Sequence, residues 1–263
     1  MTRTLPALKL SKSPLVLVLC QVRFSPILAM AQYFPKIQDK LRLKGYPVVK
    51  NAVIQELLIT PAGGASAKHV RWQVQDKTGT QSIVVTENFL AFQTTAYTVF
   101  EDFVPQLALA IETLAEEVQG LYLQRIGLRY VDLVRPGANE TWREYVRPEL
   151  HGLRSSAFVE DGQTQLHQST AKTQHGTMIV RLYQNREGQV LPPDLTEDDL
   201  KVRVEPALSP NELVTLIDLD HFSERQVDYE RGFAENQAWA LHDDLDRVFR
   251  ESVVTGHALK AWK

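Results

Sequence analysis

The sequence predicts an α+β fold, with antiparallel sheet and a few packed helices. Three observations predict it. β-rich runs cluster with turn residues between them, and helical stretches punctuate those clusters. No strand–helix alternation is sustained long enough for a doubly wound parallel sheet.

Residues Leu15–Phe24 read LVLVLCQVRF, continuous in apolar character at first and then alternating. That pattern predicts a strand buried on both faces early and on one face later. Pro14 and Pro26 bracket it, and neither would sit inside a central strand. A helix is expected over about 28–43, where Met30, Phe34, Ile37 and Leu41 recur near helical spacing. Pro35 falls within it and Gly45 stops it. Four strands are expected next, over 48–60, 69–76, 81–86 and 89–94, as an antiparallel meander.

The clearest helix is predicted over 98–119. Phe100, Phe103, Leu107, Ile111, Leu114 and Val118 form one stripe, with Thr98 as N-cap, Glu101 closing a capping box and Gly120 ending it. A long strand follows over 121–134. Ile126, Leu128 and Tyr130 point one way, and Arg125, Gly127 and Arg129 the other. In the second half a short helix is expected over 141–150. Strands are expected over 156–168, 177–185, 200–205 and 212–219, and a closing helix over 234–250. The order helix, strands, helix thus occurs twice, dividing the chain into an N-terminal half, 1–136, and a C-terminal half, 137–263, expected to pack as one unit.

Bulk properties bound the function. A chain of 263 residues with 44% apolar and 23% charged residues has ordinary globular composition. The net charge of −3 supplies no global field toward nucleic acid or an anionic membrane. Cys20 is the one cysteine, expected to be buried and inert, so no intrachain disulfide forms. The N-terminus lacks a secretory pattern, and the longest apolar run is far too short for a membrane helix. A soluble cytoplasmic protein without membrane association is expected.

Motifs that name a reaction are missing. The chain has no phosphate loop, no dinucleotide fingerprint, no nucleophile elbow and no zinc signature. Catalytic residues, metal ligands and cofactors are therefore not assigned. In Asp218-Leu219-Asp220-His221 the two acids would share one strand face and the histidine the other, poor geometry for one metal. His242 and Asp246 share a helix face, read as an exposed polar face opposite Trp239 and Leu245.

The strand arginines are the candidate binding residues. Arg23, Arg71, Arg125, Arg129 and Arg181 all lie in expected strands. Arg125 and Arg129 share a face about 13 Å apart, with Gly127 leaving a gap between them. Arg23, Arg125, Gly127 and Arg129 would suit an anion or an acidic partner through forked donors. The alternative is cross-strand ion pairing on an ordinary polar sheet face, over a glycine that accommodates a bulky neighbour.

Several stretches carry a family resemblance. Pro14 to Phe24, Phe89-Leu-Ala-Phe-Gln-Thr-Thr-Ala-Tyr97 running into Phe100–Phe103, Arg125-Ile-Gly-Leu-Arg-Tyr130, and the closing helix with Trp262 resemble a sporadically distributed bacterial family of proteins of this length and of unknown function. The resemblance implies a cytoplasmic protein and carries no catalytic residues across. Patchy distribution associates the family with mobile or defence-linked genes. The expected function is a non-catalytic binding protein, such as an immunity, antitoxin or defence-accessory factor. Its expected partner is another protein, and a homodimer is compatible. The alternative is an enzyme or binder of a phosphate-bearing small molecule or nucleic acid, acting through the strand arginines.

Overall fold

The computed structural model describes residues 8–60, 63–153, 155–158, 164–195 and 200–263, with the side chains of 51–69 outside the description. In chain order the elements are β1 (Leu15–Phe24), α1 (Met30–Leu43), β2 (Val48–Thr60), β3 (Gly63–Gln75), β4 (Gln81–Val85), β5 (Phe89–Thr94), α2 (Phe100–Glu117) and β6 (Tyr122–Val134). The chain continues with α3 (Trp142–Tyr145), β7 (Leu166–Lys172), β8 (Thr177–Asn185), β9 (Val214–Ser223), β10 (Val227–Asp228), α4 (Phe233–Val248) and α5 (Gly256–Ala261). This is an α+β architecture, as the patterning predicts.

Among the described residues ten strands form one sheet in the order β2-β3-β4-β5-β1-β6-β9-β8-β7, with β10 added beside β6. Every pairing is antiparallel. β1 and β6 lie at the centre, which explains the nearly unbroken apolar run at the start of β1.

The helices cover one face. Val18, Cys20, Val22 and Phe24 of β1 and Ile126, Leu128 and Tyr130 of β6 join one core with the apolar stripes of α1, α2 and α4. That core draws residues from both halves, from Val18 to Trp262. Phe34 of α1 stacks on Trp72 of β3 at 5.0 Å, and Phe100 of α2 meets Trp239 of α4 edge-on at 4.7 Å. Gly45 ends α1 with a φ of +107°, a conformation that a side chain would disfavour. Cys20 is fully buried, and burial pushes its thiol up to about 12. Among the described residues no helix is long and apolar enough to cross a membrane.

The structure corrects several boundaries. α2 is capped at Val99, not Thr98, with no side-chain cap. The helix begins one residue late for that cap, so the Thr98 hydroxyl donates instead to the Asp102 carboxylate at 2.6 Å. Residues 200–205 form no strand. Leu200, Val202 and Val204 pack onto the second sheet face with Leu17, Val131, Leu133 and Leu216. Their alternation serves that packing, while Lys201 N–H donates to the Gly79 carbonyl at 2.9 Å. The strand expected over 156–168 begins only at Leu166, and 159–163 lie outside the described residues. The expected short helix is split into α3, held by a Thr141–Glu144 capping box, and a 3-10 turn at Pro148–Leu150. After α4 a π turn, Phe249–Val253, leads to α5, an element with too few residues to show a period.

Candidate functional site

The two faces of the sheet centre carry different chemistry. On the face away from the helices, alternation along β1, β6, β9 and β8 gathers Gln21, Arg23, Arg125, Gly127, Arg129, Asp218, Asp220 and Arg181. The expected site residues Arg23, Arg125, Gly127 and Arg129 therefore do share one surface.

Their guanidinium groups turn toward carboxylates of the same chain. Arg129 donates from Nε and Nη2 to both oxygens of Asp218, at 2.7 and 2.8 Å, and from Nη1 to Asp194 at 2.6 Å. Arg181 adds a further donor to Asp218 at 3.0 Å. Burial works against the charge of Arg129, and its bonds to Asp218 and Asp194 outweigh that and raise its pKa. Arg125 lies 4.2 Å from the Phe222 ring centre and 3.7 Å from Asp220. Burial lowers the Arg125 pKa against the pull of Asp220. Gln21 Oε1 accepts from both Arg23 Nε and Arg125 Nη1, at 3.0 and 3.3 Å. The gap at Gly127 is filled by Arg125 itself, since a Cβ there would lie 2.9 Å from its Nη1.

The helix-covered face holds a cavity of about 570 Å³. Leu15, Tyr130, Asp132 and Leu219 line it from the sheet, Phe100 and Asp102 with the preceding Tyr97–Val99 from the start of α2, and His242, Leu245, Asp246 and the following Phe249 from the end of α4. Residues 8–13 run along its rim, fixed where the Lys12 N–H donates to the Trp262 carbonyl at 2.9 Å. A volume of this size falls in the range of small-molecule sites, roughly 300–1,000 Å³.

Asp132 is the unusual group in the wall. It is 3% exposed and pairs in register with Leu15 and Ile217, beside a register shift between Leu15 and Leu17. Bulges of this kind re-aim side chains next to functional sites. Among the described residues no hydrogen-bond donor reaches its carboxyl group. Burial, reinforced by the Asp218 carboxylate on the far face, pushes its pKa up to about 8. Its neighbours are otherwise satisfied. The Tyr130 hydroxyl stands 2.8 Å from His242 Nδ1 and also bonds with Tyr97, and burial raises its pKa well above the usual phenol range. Asp246 holds Arg250 at two points, and His242 stacks on Phe100 at 4.1 Å.

The cavity corrects one reading and exposes one omission. His242 is 7% exposed and lines the cavity together with Asp246, so their shared helix face is no solvent face. Asp132 was legible as an acid continuing the inward series Ile126, Leu128, Tyr130. The split in the Asp218–His221 segment follows the alternation expected. Asp218 and Asp220 join the arginines, while His221 is buried under α4 with Nδ1 3.1 Å from the Leu241 carbonyl and Nε2 2.9 Å from the Thr173 hydroxyl.

One group of metal-type ligands occurs among the described residues, Glu140, Glu144 and His257, with ligand atoms within 4.8 Å of one another. Each has a structural task. Glu140 accepts from the Tyr145 hydroxyl at 2.5 Å and lies 3.0 Å from His257 Nε2, and Glu144 caps α3.

Comparison with known proteins finds no matching family model, no similar curated protein and no similar solved structure.

Proposed function

We propose that this chain is a binding protein whose ligand is a small molecule held between the sheet centre and the facing ends of α2 and α4. One observation carries the reading: a cavity of about 570 Å³ whose wall includes a buried carboxyl group, Asp132, with no donor among the described residues. A carboxyl group that opens on a cavity without a protein donor is left for solvent or a ligand to satisfy, and a ligand that supplies its hydrogen bond gains by it.

The phosphate-directed alternative has less support. Arg129 and Arg181 converge on Asp218, and Arg125 adjoins Asp220, so these cations already face carboxylates. A protein partner also has less to rest on. The large exposed apolar residues among those described run from Leu28, Leu43, Val48 and Val49 to Val70, Tyr122, Leu153, Phe158 and Leu166, and exposed apolar side chains are ordinary on a protein surface.

A second reading shares the cavity. A carboxyl group that keeps its proton up to about pH 8 is in the state a general acid needs. It would make Asp132→Asn lose turnover while retaining affinity.

The test is a thermal-shift screen of chemically diverse small molecules on the full chain and on Leu15→Trp, which fills the cavity from β1. Compounds that stabilise the native chain and leave Leu15→Trp unmoved support the reading. Equal stabilisation of both, or no stabilising compound, overturns it.

A further inference from the structure

We infer that the ligand of this cavity is an organic cation, a protonated amine on a largely apolar body, with Asp132 as its counter-ion. The inference rests on the small-molecule reading above and specifies the charge of that ligand.

The charge inventory of the wall points one way. Three carboxyl groups line it, Asp102, Asp132 and Asp246, against one amine, Lys9 at the rim, and the His242 imidazole, whose Nδ1 is engaged by the Tyr130 hydroxyl. Asp246 is matched by Arg250, and Asp102 accepts from Thr98. Asp132 has neither a counter-ion nor a donor among the described residues. An anionic ligand would take only the one hydroxyl hydrogen of the protonated acid, and its charge would find no cation on the wall beyond Lys9 at the rim. A neutral ligand carbonyl would satisfy only the hydroxyl of the protonated acid. An ammonium group satisfies the carboxylate by charge and by hydrogen bond together. Aromatic rings complete the receptor. Tyr97, Tyr130 and Phe249 line the cavity, and ring faces attract a desolvated cation. Leu15, Leu219 and Leu245 offer the apolar body its surface.

This arrangement couples binding to a proton. The free protein holds Asp132 as the neutral acid at pH 7. On binding, the ammonium keeps its own protons, the Asp132 O–H bond breaks, and that one proton passes to the buffer. The bound state is then a carboxylate–ammonium pair, and charge balances.

The experiment uses the full chain with three matched probes: 2-phenylethylamine as its cation, 2-phenylethanol, and 3-phenylpropionate. Titration calorimetry at pH 7 in two buffers of different ionisation enthalpy measures affinity and proton release. The amine is expected to bind at least tenfold more tightly than either of the other probes, and to release close to one proton. Release should fade once the pH passes the Asp132 pKa. Asp132→Asn is expected to lose the release and at least tenfold in amine affinity. The proton release of the unmodified chain gives a reading that needs no variant. Binding of the alcohol or the acid as tightly as the amine overturns the cation assignment and leaves the small-molecule reading standing, as does amine binding without proton release. Failure of all three at millimolar concentration counts against both.

Discussion

Arg129 and Asp218 meet as a two-point fork between β6 and β9, with Nε 2.7 Å from Oδ1 and Nη2 2.8 Å from Oδ2. Asp218 is 1% exposed, so its charge depends on Arg129 and on the single bond from Arg181. Removing one partner of a buried pair costs about 3 kcal/mol or more, because a charge is left behind. Arg129→Ala is expected to lose about that much in urea unfolding. Asp194→Ala should lose less than about 1 kcal/mol, since Asp194 is 63% exposed on the other side of the same arginine. A loss below about 1 kcal/mol for Arg129→Ala would free that arginine for the anion-gripping role its strand position suggests.

Two glycines in this part of the sheet should respond very differently to alanine. A Cβ at Gly127 would touch the far end of the Arg125 side chain at 2.9 Å, and that end can swing away. A Cβ at Gly176 would lie 2.0 Å from the Phe222 carbonyl oxygen, which belongs to the backbone of β9. Gly127→Ala is therefore expected to cost under about 1 kcal/mol. Gly176→Ala should cost more than about 3 kcal/mol or leave the chain insoluble. Similar melting temperatures for the two variants would refute the contrast.

The α+β class, the central strands and the two long helices were legible because each buries one face, and burial imposes a period of two or near four on the residues. The grouping of Arg125, Gly127 and Arg129 was legible for the same reason. Their partners were not. Asp218 and Asp220 reach them only because β9 lies beside β6, and no local pattern states that neighbour relation. Residues 200–205 alternate like a strand, yet their alternation is spent on packing over Leu17 and Val131. The cavity was harder still. On α4, His242 and Asp246 satisfy the rule for a polar helix face, and only the approach of Phe100 and of the sheet turns that face inward. Asp132 did leave a signal, an acid that continues the inward series Ile126, Leu128 and Tyr130 of β6.

His221 couples the turn between β7 and β8 to α4. It is fully buried, its Nδ1 faces the Leu241 carbonyl, and its Nε2 faces the Thr173 hydroxyl. With Nδ1 donating to the carbonyl, Nε2 is the acceptor for Thr173, the tautomer these partners require. Burial lowers the pKa of His221 below its ordinary 6.5. The unfolded chain therefore takes up this proton first, and the stability contributed by this site is lost as pH falls below about 6.5. Thr173→Val strands the Nε2 acceptor together with the His175 and Gly176 N–H groups that donate to the same hydroxyl, and should cost about 1–3 kcal/mol at pH 7.5. Chemical denaturation at about pH 7.5 and at about pH 5.5, on either side of the ordinary histidine value, checks it. A Thr173→Val loss confined to low pH would contradict this assignment of donor and acceptor.

Asp132 has the opposite sign, and Asp132→Asn isolates it. In the folded chain its carboxyl group keeps the proton to about pH 8, whereas in the unfolded chain it releases it near 3.8. Between those values the folded state binds more protons than the unfolded state. Stability from this site is thus intact below the lower value and falls as pH rises through the window. Asparagine has nearly the same shape, keeps a hydrogen-bond donor and has no proton to lose. Asp132→Asn should therefore match the native chain near pH 4 and melt progressively higher than it toward pH 8. The gap there is on the order of a few kcal/mol, since one pKa unit is worth about 1.4 kcal/mol. Melting temperatures of both chains from about pH 4 to about pH 9 measure it directly. A gap that stays constant, or that widens toward acid, would mean that Asp132 is already ionised and paired in the folded chain. A widening toward pH 8 would mean that the fold tolerates a carboxyl group at a position where an amide is more stable, which is the pattern of a group kept for binding and not for stability.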